Sequence, residues 1–235
     1  MGIPRLDSPE VHAVAADSNL PIRVARLLLI ASRASAKARR WAVGGAVAVR
    51  ANGYGRYTDD LDIFATQVSA RKIVTGLATA GMQIRWVGDY HAIAFLEEDN
   101  PEQVAARETP TIRIDVLSTL EEPEAGAIRT AIPAKKLGVE AKVFRADYLA
   151  AIKFLAGRPQ DLLDFDELMR LGTDVERVKY RVSTSDDSRV PALMARIRGL
   201  KPKPKGVRDG AAARYLDRDA LDAAWKASEA KRAAK

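Results

Sequence analysis

Cysteine is absent from the chain, which excludes disulfides and zinc–thiolate sites. Histidine is nearly absent. His12 and His91 are the only two, too few for a histidine-rich metal centre. No apolar run approaches the roughly 20 residues a helix needs to span a bilayer, so no membrane role is expected. Residues Met1 to Asp17 mix Pro, Asp, Glu and His rather than a charged stretch followed by an apolar one. No secretory leader is therefore expected, and a cytoplasmic location is the default. No internal repeat is visible.

What is present suits one large domain or two small ones: 235 residues, of which 47% are apolar, enough for a packed core. The net charge is +7, which favours polyanionic partners through release of counterions or serves only to keep the protein dissolved. The excess is uneven. Residues 196–214 hold seven Lys or Arg and a single Asp, and the last ten residues are basic on balance.

Residues 20–40 carry apolar positions at helical spacing that give way to Lys and Arg in the last turns. Trp41 to Gly45 reads as a short buried strand ending in a turn, and residues 46–54 as a short helix stopped by Asn52-Gly53. Leu61 to Ala65 is a β-rich run, and residues 68–80 form a helix closed by Gly81. Three strands follow at Met82 to Val87, Ala92 to Glu97 and Thr111 to Leu117, with a polar loop over residues 99–110. In the last strand Ile112, Ile114 and Val116 share one face, which leaves Asp115 on the other with Arg113 and Leu117. From about Ala146 the pattern is helical. The expected class is α+β, a mixed β-sheet with flanking helices followed by a helical part and a basic tail. The tail, from Lys201, reads as a linker leading into one amphipathic helix near Arg218 to Lys231.

The densest signal lies in residues 41–65, WAVGGAVAVRANGYGRYTDDLDIFA. Asp60 and Asp62, at i and i+2 on a strand, point to the same face. Two such charges repel and raise at least one pKa unless a cation neutralises them. Mg²⁺ is usually held by one or two carboxylates plus a phosphate-bearing substrate. The Gly44-Gly45 turn offers backbone N–H groups with no Cβ in the way. Together these point to metal-dependent chemistry on a nucleoside triphosphate. Each part alone has a plainer reading. Glycine pairs are common in turns, an Asp-x-Asp is often a solvated strand edge, and Asp115 reads equally as a surface carboxylate paired with Arg113. His91 reads as structural. Tyr54 and Tyr57 flank the motif, and Trp41, Phe154, Phe165 and Leu168 read as core.

In this order, Gly-Gly at a strand end, Arg-x-Thr-x-Asp-Leu-Asp-Ile and an isolated strand aspartate resemble the nucleotidyltransferase (polymerase beta-like) superfamily. The arrangement is most similar to the AbiEii-like toxins of abortive-infection and toxin–antitoxin systems, whose second half carries a helical Lys, then Arg and an Asp-x-x-Asp pair. This chain has Lys153, Arg158, Asp161 and Asp164 in that order. The resemblance covers roughly residues 40–170. It implies that Asp60, Asp62 and Asp115 are catalytic and bind Mg²⁺ (or Mn²⁺). It further implies that Gly44, Gly45, Arg56, Thr58, Lys153 and Asp161 bind the nucleotide, an NTP such as ATP. The plainer alternatives are that Lys153 only snorkels at the core edge and that Asp161 and Asp164 are helix-start charges. Asn52-Gly53-Tyr54-Gly55 replaces the His-Gly of many relatives, which leaves the branch and substrate open.

The implied organisation is a nucleotidyltransferase catalytic domain over residues 1–140, a helical domain completing the nucleotide site over 141–200, and the basic tail over 201–235. The implied function is transfer of NMP to an acceptor hydroxyl, with RNA (the tRNA 3′ end) as acceptor and a separately encoded antitoxin as partner. The alternatives are nucleotidylation of a protein or small molecule, and a non-catalytic scaffold that binds RNA or a partner.

Overall fold

A computed structural model describes residues 2–119 and 121–200. The helix expected near Arg218 to Lys231, and the basic tail as a whole, lie outside the described residues. Two helices open the chain, α1 (Pro9–Ser18) and α2 (Ile22–Ala34), followed by β1 (Trp41–Val43), α3 (Gly45–Ala51), β2 (Asp60–Ala65) and α4 (Gln67–Ala80). Then come β3 (Gln83–Gly88), β4 (His91–Phe95), α5 (Pro101–Ala105), β5 (Arg113–Ser118) and α6 (Glu124–Arg129). Two short strands, β6 (Ile132–Pro133) and β7 (Lys142–Val143), precede α7 (Ala146–Ala156), α8 (Pro159–Arg170), α9 (Val175–Asp186) and α10 (Val190–Gly199). The class is α+β, as expected.

The seven strands among the described residues form one mixed sheet in the order β3-β4-β5-β2-β1-β7-β6. β2 runs parallel to β5 and β1 parallel to β7, and the other pairings are antiparallel. Strict alternation makes the central strands two-faced. Leu61, Ile63 and Ala65 of β2 and Ile114 and Val116 of β5 point into the core. There they meet Leu27, Leu28 and Ile30 of α2 and Ile73 and Leu77 of α4. Each such side chain taken fully out of water contributes about 1.5–3 kcal/mol. Residues of opposite parity, Asp60, Asp62 and Phe64 on β2 and Arg113, Asp115 and Leu117 on β5, occupy the other face. No helix among the described residues is long and apolar enough to cross a membrane.

Two local expectations differ from the structure, and α1, β6 and β7 are elements for which the sequence raised no expectation. The helix expected over residues 20–40 ends at Ala34, because the chain must turn there to enter β1. The Arg40 carbonyl already accepts a bond from Thr66 N–H at the sheet edge. Residues 99–110 are not all loop: Pro101, at the first helical position, opens α5. α1 has only a weak signature in the sequence, since within ten residues only Val11, Val14 and Ser18 are buried. β6 and β7 have none, because two residues carry no readable period.

Candidate active site

The register between β2 and β5 assembles the polar face. Asp60 stands opposite Arg113, and Asp62 opposite Asp115. Asp115 is almost fully buried and both its oxygens are engaged. Oδ1 lies 2.6 Å from His91 Nε2, and Oδ2 accepts from Arg113 Nε at 2.7 Å. Asp60 is likewise held: Thr58 Oγ1 donates to Oδ1 at 2.6 Å, and Arg113 Nη2 lies 3.6 Å from Oδ2. The Asp62 carboxylate, between them, receives no hydrogen bond and forms no ion pair among the described residues. Burial pushes its carboxyl up to about 7, reinforced by the charges of Asp60 and Asp115 and opposed by Lys153 and Arg113.

The glycine turn lies against this free carboxylate. Gly45 has φ of +52°, and a Cβ there would overlap an Asp62 carboxylate oxygen. Gly44 N–H donates to the Asp62 carbonyl at 2.9 Å, and a Cβ on Gly44 would overlap the Phe64 ring. The absence of a side chain at both positions is thus a condition for the turn to pack onto β2.

α7 and α8 supply the cations. Lys153 is buried, with Nζ 2.7 Å from Asp161 Oδ1 and 3.1 Å from Asp164 Oδ2. Arg158 also donates to Asp161. Burial alone would raise the Asp161 carboxyl, but the bonds from Arg158 and Lys153 outweigh it and hold the group below the usual carboxylate range. Arg56 Nε grips fully buried Asp164 at 2.9 and 3.2 Å. Arg56 therefore ties the loop before β2 to α8.

Among the described residues no three His, Asp or Glu side chains already converge as a ready-made metal cage, because Asp115 and Asp60 are turned onto His91, Arg113 and Thr58. The donor set nevertheless fits a hard divalent cation. Asp62 offers a partly buried carboxylate without a partner and Asp60 a second on the same face, and phosphate oxygens of a substrate would complete a Mg²⁺ shell.

A cavity of about 430 Å³ opens on the same sheet face, one step further along β2 and β5. Phe64 and Leu117 form part of its lining, with His91, Asp89, Tyr90, Ser118 and Glu124 around them. Burial raises the Glu124 carboxyl, and the nearby charges of Glu121 and Glu122 add to the effect.

No protein-family model matches the chain, and no curated protein matches it. Among solved structures it is similar to the antibiotic-resistance factor ANT(2'')-Ia, at 15% identity over 81% of this chain and 94% of that one, with a TM-score of 0.45. A second structure of that factor, in complex with adenylyl-2''-tobramycin, covers the same shares at 15% identity with a TM-score of 0.36. A candidate nucleotidyltransferase (TM1012) from Thermotoga maritima is similar at 15% identity over 64% of this chain and 94% of that one, with a TM-score of 0.43. Likeness this distant assigns neither a reaction nor a substrate.

The residues singled out in sequence fall into two groups in space. Asp60, Asp62, Asp115, Gly44, Gly45 and Thr58 meet on one sheet face. Lys153, Asp161 and Arg56 form a clasp with Asp164 and Arg158 beside it, and the Lys153 charge acts on Asp62. His91, which reads as structural in the sequence, is placed on Asp115 by the register. Asp89, Tyr90 and Glu124 give no sequence signal, because a hairpin tip and a six-residue helix carry no pattern that joins them.

Proposed function

We propose that the chain is a Mg²⁺-dependent nucleotidyltransferase that moves NMP from an NTP to an acceptor hydroxyl with release of pyrophosphate. The observation that carries this is Asp62. It is a partly buried carboxylate with no partner, flanked by two further carboxylates and backed by a glycine turn.

In this reading Asp62 and Asp60 hold the cation, with Asp115 as the third carboxylate. When bound there, such a cation would supply charge neutralisation of the triphosphate and polarisation of the α-phosphorus. Gly44 and Gly45 let the triphosphate approach the backbone. Lys153 and Arg158 bias the neighbouring face toward anionic phosphates, while Asp161 and Asp164 fix where those cations stand. Thr58 holds Asp60 in its rotamer, and Arg113 and His91 do the same for Asp115. The acceptor hydroxyl attacks the α-phosphorus, the α–β bridging oxygen leaves with pyrophosphate, and the hydroxyl proton passes to an oxygen of Asp115. Residues 1–140 supply the three metal-binding carboxylates and Arg56, and residues 141–200 supply the rest of the clasp.

Two acceptors have support. The resemblance to AbiEii-like toxins and the basic segment 201–235 favour RNA, the tRNA 3′ end, with an antitoxin encoded separately. The lining of the cavity beside His91 favours a small molecule. The test is incubation with Mg²⁺ and each α-labelled NTP, with total RNA or small acceptors, and Asp62→Ala as control. Label transferred by the parent and not by the control establishes the reaction. Equal transfer by both refutes the site.

A further inference from the structure

Arg113 is a cation that the sheet itself brings to the carboxylates. It stands two residues before Asp115 on β5 and opposite Asp60 on β2, so parity and register both put it on their face. Its guanidinium is spread over three acceptors. Nε donates to Asp115 Oδ2 at 2.7 Å, Nη2 lies 3.6 Å from Asp60 Oδ2, and Nη1 donates to the Pro110 carbonyl at 3.0 Å. The last bond ties the group to the loop before β5, and the side chain is only 24% exposed. Asp60 Oδ2 and Asp115 Oδ2 thus already share one positive charge. Their other oxygens are held from elsewhere, Asp60 Oδ1 by Thr58 and Asp115 Oδ1 by His91. Lys153, whose charge also acts on this face, is engaged by Asp161 and Asp164 of α8. Asp62 is the carboxylate open to a cation without displacement of a donor.

We infer that Arg113 is a resident counter-ion that competes with the divalent cation, so that Mg²⁺ alone binds weakly and enters together with the triphosphate. The inference rests on the nucleotidyl-transfer reading and gives Arg113 a positioning role. Mg²⁺ approaches each oxygen that binds it to about 2.0–2.1 Å, closer than an N–H donor comes. A cation shared by Asp60 and Asp115 therefore either takes the oxygens that Arg113 contacts or lies beside its charge, where the two repel. Before the cation arrives, the guanidinium holds both carboxylates in place and reduces the repulsion among three like charges. A triphosphate changes the balance. Its negative charge offsets the repulsion between Mg²⁺ and Arg113, and its oxygens offer the guanidinium new acceptors. Metal without nucleotide meets the competing charge with nothing to offset it.

The test removes the charge in two ways and keeps it in a third. Arg113→Gln removes it, Arg113→Met removes it but keeps the buried stem should the first variant fail to fold, and Arg113→Lys retains it. Calorimetric titration of the full chain with Mg²⁺ and no nucleotide should give at least about tenfold tighter binding in the two uncharged variants than in the parent. Arg113→Lys should stay within about threefold of the parent. The added affinity should vanish when Asp62→Asn is combined with Arg113→Gln. Melting supplies a readout of opposite signs. In chelator Arg113→Gln should melt below the parent, because the carboxylates have lost their cation. At equal Mg²⁺ it should gain more than the parent does. An Arg113 that served packing alone would lower the melt and leave the Mg²⁺ affinity unchanged. Binding that is unchanged or weaker in both uncharged variants, or equally tightened in Arg113→Lys, would overturn the inference and leave an Asp62-dependent cation site standing. Absence of Asp62-dependent Mg²⁺ binding from the parent and from every variant would overturn the cation site, and the inference with it.

Discussion

Asp62 differs from its two carboxylate neighbours in having nothing to hold. Asp115 rests on His91 and Arg113, and Asp60 on Thr58 and Arg113. Its carboxyl is pushed up to about 7 by burial and by those neighbours, whereas an unfolded chain titrates it near 3.9. Between about pH 4 and pH 7 the folded state thus binds the proton more tightly, so stability falls as pH rises through that window. In chelator, Asp62→Asn should remove this slope and melt higher than the parent above pH 7, by on the order of a few kcal/mol at most. A melting temperature that does not depend on this substitution at any pH would show that Asp62 is not strained. The same variant should lose more than about a hundredfold in transfer, as expected when a metal partner is removed, and should no longer be stabilised by added Mg²⁺. For the parent, Mg²⁺ at a hundred times its Kd should add about 2.7 kcal/mol. Gly45→Ala tests the turn separately. A Cβ at a φ of +52° that overlaps the Asp62 carboxylate should cost about 1–3 kcal/mol and also abolish the Mg²⁺ effect; an unaltered melt would refute the close approach. The carboxylates and the glycines are legible in the sequence because each belongs to a local period or turn. His91 is not, since its role depends on the register of β4 against β5, which no spacing in the chain encodes.

β2 and β5 are readable because alternation over six residues distinguishes a two-faced strand from a helix, and that parity alone places Asp60, Asp62 and Asp115 on one surface. The contact between α7 and α8 is only half readable. The order Lys153, Arg158, Asp161, Asp164 is present in the chain, but that Lys153 turns back onto both aspartates depends on how Gly157, at a φ of +69°, reverses the chain between the helices. Buried Lys153 is the shared partner of two almost fully buried carboxylates. Removing one member of a buried pair leaves uncompensated charge and costs about 3–5 kcal/mol. Arg56 and Arg158 remain to hold Asp164 and Asp161, so Lys153→Met should cost about 2–4 kcal/mol, read from denaturant unfolding. Adding Asp161→Asn should recover part of that loss, because the second change removes the charge that the first left exposed to the core. A double variant less stable than Lys153→Met alone would show that Lys153 contributes through packing rather than through the carboxylates.

The charge of the chain is distributed unlike its chemistry. Five of the seven net positive charges fall in residues 201–235, whereas the three carboxylates, the clasp and the acidic cavity all lie before residue 165. Binding to RNA through counterion release scales with the number of phosphates neutralised. On a single strand the logarithmic salt slope falls by about 0.7 for each phosphate that the protein ceases to neutralise. A chain ending at residue 200 carries a net charge of only +2 and should retain RNA weakly, with a nearly flat salt dependence. Its melting temperature should stay within a few degrees of the parent's, because the buried core cluster among the described residues runs from Val11 to Leu193. If the acceptor is a small molecule, that truncated chain should keep its KM for it within about twofold, since the described lining of the cavity runs from Phe64 to Glu124. If the acceptor is RNA, truncation should raise the acceptor KM by at least tenfold at low salt and less at high salt. One salt series on the parent and truncated chains, with both acceptors, separates the two. An RNA slope unchanged by truncation would assign the basic tail to solubility and return the search for an RNA surface to the folded part.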